Sequence, residues 1–484
     1  MKIVSSHGKG YAKRKKRTEI IKTVLIVVLF LTFVFLGYKL LGTGHFLTPK
    51  SYHTQSGAAA NSLILNSEDA INLYFEYTSP EYIMLSREGG REVFYCDSEY
   101  YARAEKILKE VNECLFASDL KITEVTDLKS FAELVATNSL CASYACRRYP
   151  KYSMQFFGSG DGKILDYVQS YKKLTVVPAE DGKGGLSVYI TDEKTEKTFK
   201  ISSDIPSTAL IKIMGAVRET GTKKYSYAYE LNFGKEPQNS GEIKTVGINP
   251  DILIPLVKLS KPDAEAKVPS VFSSGNSGGE LAAEIAEIFG MNVGSLKQYI
   301  DKENTVVCVS ESATLKIFSN GIVEYSASPI NGGLNLAGSN ENNSEDSYFY
   351  SFTGVSRIVN ALGKLSKNDE TSVKIRLSEL QAESTEVAEY KFMFDWYLEG
   401  IRVFTQPYHG IEAYVSDSKL EFLRINLKQF NLGYGETETE PLLSAVDRYY
   451  AERPDDSRRS ITGCNLVYVL SENSKEMPVK WNVF

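Results

Sequence analysis

Few residues of this 484-residue chain have the types and spacing that acid–base chemistry requires, because the chain has only four histidines. His409, in QPYHGIEAY, is the one that lies far from the amino-terminal segment, so a Ser-His-Asp or Cys-His site would need it. No G-x-S-x-G, S-x-x-K or H-E-x-x-H motif occurs in a fitting context. A histidine beside Pro407 and Gly410 is typical of a turn, and the sequence predicts no catalytic residue.

Paired carboxylates are a second source of chemistry, because glycoside hydrolysis uses two of them. The candidate pairs are Asp395 with Glu399 and Asp161 with Glu180. Chance pairs are common among 61 acidic residues, and Asp395 lies in a stretch whose aromatic residues are spaced as in a strand. This spacing favours a role of the aromatic residues in core packing over a role as a sugar-binding platform. A wall-active hydrolase is kept only as a less favoured alternative function.

The stretch GSGDGK at 158–163 has the composition of a phosphate-binding loop but not its spacing. A P-loop requires a glycine where Phe157 stands and a Ser or Thr after Lys163. The stretch therefore predicts a hairpin turn, and the sequence predicts no cofactor.

The six cysteines allow disulfides if they lie outside the cell, but their pairing stays open. Cys141 and Cys146 are five residues apart, which permits a local disulfide and does not form a CxxC motif. No histidine lies near them, so no metal site is predicted. The full set is Cys96, Cys114, Cys141, Cys146, Cys308 and Cys464.

The amino-terminal segment combines a basic head with an apolar run. Residues 1–22 contain eight Lys or Arg and one Glu, whereas the whole chain has a net charge of −6. The apolar stretch at 20–41 has about the length that a membrane-spanning helix requires. The positive-inside rule places residues 1–19 in the cytoplasm and the bulk of the chain outside the cell membrane. No suitable cleavage site follows closely, so we expect an uncleaved anchor.

Two kinds of contact are predicted for this membrane helix. It would contact membrane lipid, and the small residues Thr32 and Gly37 are candidate contacts for a helix of a partner protein. A nucleic-acid partner is not predicted, because the large acidic body would repel phosphate.

The rest of the chain predicts an α+β fold, in which antiparallel sheets with packed helices form several modules of an ectodomain. A polar stalk at 42–62 leads to an amino-terminal ectodomain at 63–259. A Pro/Gly/Ser-rich linker follows at 260–280. Helical patterns followed by short alternating strands then predict a middle helix-plus-meander module at 281–334 and a carboxy-terminal module at 348–484. VGSLKQYI at 293–300 is expected to be a short helix, and the last strand, around Trp481, is expected to pair back into the final sheet.

Two stretches of the carboxy-terminal part resemble the YycH and YycI family. An aromatic-rich strand there turns at a glycine into a second strand, and a late strand with Tyr and Trp follows. The residues that carry the resemblance are Tyr390, Phe392, Trp396, Gly400, Tyr468, Pro478 and Trp481.

The resemblance implies an extracytoplasmic, membrane-anchored regulator in Gram-positive bacteria. Its implied partner is the WalK/YycG type of sensor histidine kinase, which belongs to a two-component system that responds to the cell wall. A paralogous YycI/YycH-like protein is a second implied partner. The alternatives are a cell-envelope assembly factor that binds wall or lipid components and, less favoured, the wall hydrolase considered above.

Overall fold

A computed structural model describes residues 67–484 of the chain apart from a set of short gaps. The gaps are at 89, 97, 118–119, 158–161, 180–181, 183, 221–223, 232–247, 250, 273–277, 331, 338–345, 369–372, 385–387, 406–407, 453–460 and 472–474. The predicted head, membrane helix and stalk, with Thr32 and Gly37, lie outside the described residues. Within the described part of the chain, no helix has the length and apolar character needed to cross a membrane.

The described residues form eight α-helices and 24 β-strands, which confirms the predicted α+β fold class. The helices are α1 Ser67–Thr78, α2 Glu99–Cys114, α3 Leu128–Thr137, α4 Pro150–Phe157, α5 Thr208–Thr220, α6 Gly278–Ile288, α7 Ser347–Lys364 and α8 Leu442–Ala451.

A seven-stranded antiparallel sheet organises the amino-terminal part, with the order β2-β1-β4-β5-β6-β7-β3. Helices α2 and α5 cover one face of this sheet, where Ile83, Leu85 and Leu174 pack against Ile107 and Met214. The α2 helix begins after Ser98, whose side chain accepts a hydrogen bond from the Tyr100 amide. The strands are β1 Tyr82–Arg87, β2 Gly90–Phe94, β3 Lys121–Glu124, β4 Asn138–Arg148, β5 Tyr171–Val177, β6 Gly185–Thr191 and β7 Thr198–Pro206.

Five further strands form two small sheets. The β8 strand pairs with β9, and β10 lies between β21 and β23 in a three-stranded sheet. Their bounds are β8 Tyr225–Tyr227, β9 Leu253–Pro255, β10 Ser260–Lys267, β21 Gln429–Glu438 and β23 Glu476–Met477.

A twelve-stranded sheet contains the strands of the predicted middle module and, apart from β21 and β23, those of the predicted carboxy-terminal module. Its main path is β11-β12-β13-β14-β20-β19-β17-β18-β22-β24, while β15 pairs with β20 and β16 pairs with β17. The module boundaries at 63–259, 281–334 and 348–484 stay predictions. The strands are β11 Lys297–Ile300, β12 Val306–Val309, β13 Ala313–Ile317, β14 Ile322–Ala327, β15 Leu334–Asn335, β16 Val373–Ser384, β17 Ala388–Leu398, β18 Ile401–Thr405, β19 Ile411–Ser416, β20 Lys419–Asn426, β22 Cys464–Leu470 and β24 Val479–Val483.

Three expectations about individual elements were wrong. The segment at 260–267 is the strand β10 and not the start of a linker, because its backbone pairs with β21 along its length and its alternate residues Ala264 and Ala266 are buried. The segment at 293–300 forms a single 3-10 turn and then the strand β11. The strands are not all antiparallel, since β18 and β22 pair in parallel.

One hydrophobic core joins the two ends of the described chain. Helix α1 contributes Tyr74 and Tyr77, which pack with Phe352 of α7 and Phe394 of β17. The Tyr77 hydroxyl also donates a hydrogen bond to the Ser356 carbonyl at 3.1 Å. The amino-terminal helix therefore belongs to the core of the carboxy-terminal sheet.

Candidate functional site

A tight turn between β17 and β18 brings the first functional side chains together. Glu399 and Gly400 have φ values of 44° and 76°, the two positive values that a type I′ hairpin turn requires. A Cβ at Gly400 would lie 2.4 Å from the Cβ of Tyr95, so only glycine fits against the segment that follows β2. The turn places Arg402 back beside the end of β17.

Asp395 is the centre of a buried ion-pair cluster. Its side chain is 1% exposed, and its Oδ2 lies 2.5 Å from Arg402 Nη2 and 3.0 Å from His409 Nδ1. The backbone N–H of Gly410 donates to Oδ1 at 3.0 Å. Burial alone would raise the pKa of Asp395, but the Arg402 charge, His409 and the Gly410 amide together lower it to about 2. The carboxylate is therefore charged throughout the physiological range.

A second buried cation, Arg376, links this cluster to the amino-terminal part of the chain. It is 3% exposed and lies opposite Asp395 in the pairing of β16 with β17. Its Nη1 donates to the Pro80 carbonyl at 2.6 Å, and its guanidinium lies over the rings of Tyr101 and Tyr397. The connection between α1 and β1 is thus fixed to the carboxy-terminal sheet.

Glu81 follows Pro80 immediately and adds a second buried acidic group to the cluster. The residue is 7% exposed, and its backbone N–H donates to the Ser143 carbonyl. Among the described residues, its carboxylate has no hydrogen bond and no ion pair within 4 Å. Burial raises its pKa, while the charges of Arg402, Arg376 and Lys172 oppose that rise. A buried carboxyl group of this kind is a candidate binding residue.

These groups border a cleft of about 1120 Å³, which we call the inter-sheet cleft. It lies between the seven-stranded sheet, through β1, β4 and β5, and the twelve-stranded sheet, through β16, β18 and β22. Glu81, Arg402, His409, Ser378 and Glu379 reach its surface. Tyrosines are frequent in its walls, namely Tyr82, Tyr95, Tyr144, Tyr149 and Tyr225.

The arrangement is suited to binding rather than to the hydrolytic chemistry considered from the sequence. His409 is held by Asp395 on one nitrogen, but its Nε2 faces the Glu379 carboxylate at 3.7 Å and not a nucleophile. Ser378 also lines the cleft, and its buried hydroxyl has no hydrogen-bond partner among the described residues. Asp395 is paired with Arg402 and so is not available as the nucleophile of a glycosidase.

The other sequence candidates lie elsewhere. Asp161 and Glu180 fall outside the described residues. Residues 158–161 of the expected hairpin turn also lie outside the described residues, and Gly162, in a left-handed conformation, leads into a 3-10 helix at Lys163–Asp166. Lys163 donates to the Leu120 carbonyl at 2.6 Å.

The cysteines form no disulfide in the structure, and all six lie within the described residues. Burial raises the pKa of Cys141, and it raises the pKa of Cys146 and Cys464 to about 12. These thiols are therefore poor nucleophiles at neutral pH. Among the described residues, no group of three or more His, Cys, Asp or Glu side chains could hold a metal ion.

The family-motif residues hold the carboxy-terminal sheet together. Phe392 is fully buried, and each of the four Tyr and Trp side chains of the set makes a hydrogen bond. The Tyr390 hydroxyl bonds to Ser347 Oγ at 2.9 Å, and the Tyr468 hydroxyl donates to the Pro262 carbonyl at 3.0 Å. Trp396 Nε1 donates to the Asn426 carbonyl at 3.2 Å, and Trp481 Nε1 donates to the Glu440 carbonyl at 2.9 Å. The Pro478 carbonyl accepts from the Val469 amide at 2.9 Å. As predicted, the strand that contains Trp481 pairs back into the sheet, with β22.

The fold and the cleft define an α+β protein in which two large sheets meet at a tyrosine-lined, charge-balanced groove. The structure is similar to the crystal structure of YycH from Bacillus subtilis, with a TM-score of 0.52 and 12% identity over 84% of this chain and 94% of that chain. The predicted resemblance to YycH is thereby confirmed at the level of the fold. An uncharacterized protein from Eubacterium rectale ATCC 33656 matches 46% of this chain and 77% of its own length, with a TM-score of 0.32 and 11% identity, which is too low to support an argument. No family model and no curated protein matches the sequence.

Proposed function

We propose that this chain is a non-enzymatic regulatory protein of the cell membrane that binds and modulates a sensor histidine kinase of a two-component system. The proposal is carried by the YycH fold, which extends over 84% of the chain. A cell-wall-responsive kinase is the proposed partner, and a paralogous YycI/YycH-like protein is a second one. The geometry of the inter-sheet cleft supports the proposal, because its acid–base groups are paired with one another and not with a nucleophile.

The proposed anchor is the apolar segment at 20–41, with residues 1–19 in the cytoplasm and the folded part outside the cell. Confinement to the membrane raises the local concentration of protein and kinase relative to each other. Close approach of the kinase helix at Thr32 and Gly37 would favour one signalling state of the kinase over the other. This mechanism regulates the kinase only if the chain makes different contacts with the two signalling states of the kinase.

The test uses the full chain with leucine at both small positions, Thr32→Leu and Gly37→Leu, expressed in the cells that naturally produce it. We expect in vivo crosslinking to recover the kinase with the natural chain and about tenfold less with the variant, since bulky residues prevent close helix approach. Val28→Leu, which changes the same helix without filling a small-residue position, is the matched control.

Kinase recovery that is equal in the variant, the control and the natural chain would place the contact outside the membrane helix. Recovery of no kinase with any of them would contradict the regulatory function. In that case wall enzymes or wall fragments recovered with the chain would support the second candidate, an envelope assembly factor. The tyrosine-rich cleft is the observation that favours this second candidate, because aromatic side chains also pack against sugar rings.

A further inference from the structure

The free edge of a strand lies in the inter-sheet cleft. Strand β16 pairs with β17 along one edge, and within the described part of the chain no strand pairs with its other edge. Residues 378–382 of β16 line the cleft. An unpaired strand edge presents backbone N–H and C=O groups in a row, which is a template for another strand.

A β-bulge marks the point where β16 enters the cleft. The pairing with β17 shifts between Leu377 and Glu379, so Ser378 is left without a partner residue. Ser378 is 8% exposed and lines the cleft, and its buried hydroxyl has no hydrogen bond to any described residue. Bulges often redirect a side chain toward a site, and a buried hydroxyl without a partner lacks hydrogen bonds that a ligand can supply.

The opposite wall also contains backbone outside regular pairing. Strand β4 pairs with β1 only as far as Ser143. Its register with β5 moves from Ser143 opposite Lys173 to Arg148 opposite Tyr171, so residues 144–147 have no strand partner among the described residues. Several of them line the cleft. The cleft therefore has irregular backbone on both walls.

The charges around the cleft are balanced. Acidic and basic side chains line the cleft in equal number, namely Glu81, Glu193, Asp251 and Glu379 against Arg147, Lys172, Lys173 and Arg402. A strongly charged ligand would have no net field to attract it. Arg402 Nε is a buried donor without a hydrogen-bond partner in the described structure. The Glu81 carboxylate, in a residue that lines the cleft, can accept hydrogen bonds. This combination favours a neutral ligand that carries donors and acceptors together.

We propose that the inter-sheet cleft binds an extended peptide segment of another polypeptide, which adds a strand to the free edge of β16 at residues 378–382. A peptide backbone repeats its donors and acceptors with the spacing of a strand edge, about 3.3 Å per residue, and a sugar chain does not. Five residues of such a peptide extend roughly 17 Å. Tyrosine walls favour apolar or aromatic side chains in the peptide. The inference does not depend on the identity of the regulated kinase.

The experiment selects binders from a phage-displayed library of random nonapeptides against the full chain in detergent. The best peptides are synthesised and measured by fluorescence anisotropy, and their backbone nitrogens are then methylated one at a time. Strand addition predicts an alternating pattern, because every second N–H of the peptide points at β16. Methylation at those positions should weaken binding by about tenfold, and methylation at the intervening positions should change it less than about twofold.

Two substitutions in the protein locate the site. Glu81→Gln and Ser378→Ala should each weaken binding by about tenfold, because each removes a buried hydrogen-bonding partner. The matched controls Glu303→Gln and Ser319→Ala change exposed turn residues outside the cleft and should leave binding unchanged.

Three outcomes would overturn the proposal. One is that no peptide is selected. Another is that methylation has the same effect at every position, and a third is that binding persists unchanged in both cleft variants. Binding of a tetramer of N-acetylglucosamine that is lost in Ser378→Ala, with no peptide selected, would assign the cleft to a glycan instead. The methylation pattern is measured with the natural chain, so this test remains valid even if a substitution in the protein disturbs its folding.

Discussion

At the scale of single residues, the Asp395 cluster shows how a charge is kept in an apolar sheet. The carboxylate is buried in a strand where nearly every neighbour is apolar, and an isolated charge there would be strongly destabilising. Arg402, His409 and the Gly410 amide supply the compensating interactions. The consequence is mutual dependence, because removing one partner leaves another buried group unpaired.

Removing the positive charge of Arg402 should therefore lower the free energy of unfolding. We expect Arg402→Met to lower the free energy of unfolding by about 3 kcal/mol, since the buried Asp395 carboxylate loses its ion pair. Urea unfolding at pH 7 measures this. The double variant with Asp395→Asn should lose less than the sum of the two single changes. Arg103→Met, which breaks the exposed pair with Glu99, should cost about 0.5 kcal/mol or less. Equal losses in the two single arginine variants would contradict the importance of the cluster.

The same cluster has a defined pH dependence. The pKa of Asp395 is about 2 in the folded protein, below its value of about 3.9 in an unfolded chain. Its contribution to stability is therefore complete above pH 4 and is lost as the pH falls from about 4 to about 2. The difference in unfolding free energy between the natural chain and Asp395→Asn should shrink over that interval.

Glu81 should behave in the opposite way. Burial raises its pKa above the unfolded value, so ionisation disfavours the folded state as the pH rises through that region. We expect Glu81→Gln to increase the free energy of unfolding at pH 7 by roughly 1 kcal/mol and to have a smaller effect at pH 4. Urea midpoints at the two pH values measure the change. A destabilised variant at pH 7 would mean that Arg402 and Arg376 already satisfy the carboxylate.

The sequence shows the residue types of this cluster, but it does not show that these residues lie close together in the fold. Asp395 and His409 were both considered, and each was interpreted alone, as a packing residue and a turn residue. Arg402 lies seven residues from Asp395, and the turn at Gly400 brings the two together. Glu81 is more than 300 residues away in the chain, and no local pattern indicates where a long-range partner will lie.

At the scale of elements, the β17–β18 turn depends on glycine. We expect Gly400→Ala to lower the free energy of unfolding by at least about 2 kcal/mol, because the new methyl group meets Tyr95 and the backbone has a positive φ. Gly215→Ala in α5 is the matched control. No atom lies within 4 Å of the added methyl there, so helix propensity should increase stability by about 0.5–1 kcal/mol. Chemical denaturation of both variants tests the pair, and similar effects would show that the turn is not constrained.

Element types were predictable where periodicity was strong. The amphipathic spacing of α2 appears in the structure as a helix with one buried face. The aromatic spacing around Phe392 appears as the strand β17, although this strand is buried on both faces from Phe392 to Leu398. The errors fell on polar, weakly periodic segments. Residues 260–267 are a strand because β21 and β23 lie on either side of them, and both of these partners follow more than 150 residues later.

At the scale of the whole molecule, we expect the described part of the chain to unfold as one cooperative unit. The side chains of α1 pack against α7 and β17, and Arg376 binds the Pro80 carbonyl next to that helix. Hydrogen exchange in increasing denaturant should therefore release the amides of α1 together with those of β17. Helix α3, which has no buried residue, is the internal control and should exchange earlier by local opening. Release of α1 well before β17 would show that the predicted 63–259 module is independent.

The packing of α1 also determines when this helix can complete its native contacts during synthesis of the chain. Tyr77 bonds to Ser356, 279 residues further along, and Pro80 binds Arg376 across 296 residues. At a synthesis rate of about 5–20 residues per second, this helix waits roughly 15–60 s before these partners exist. During that interval Tyr74 can already pack against Phe156 of α4, but Tyr77 lacks Ser356 and Phe394. The first described helix therefore completes its packing late, because part of its apolar face stays uncovered until the carboxy-terminal partners have been synthesised.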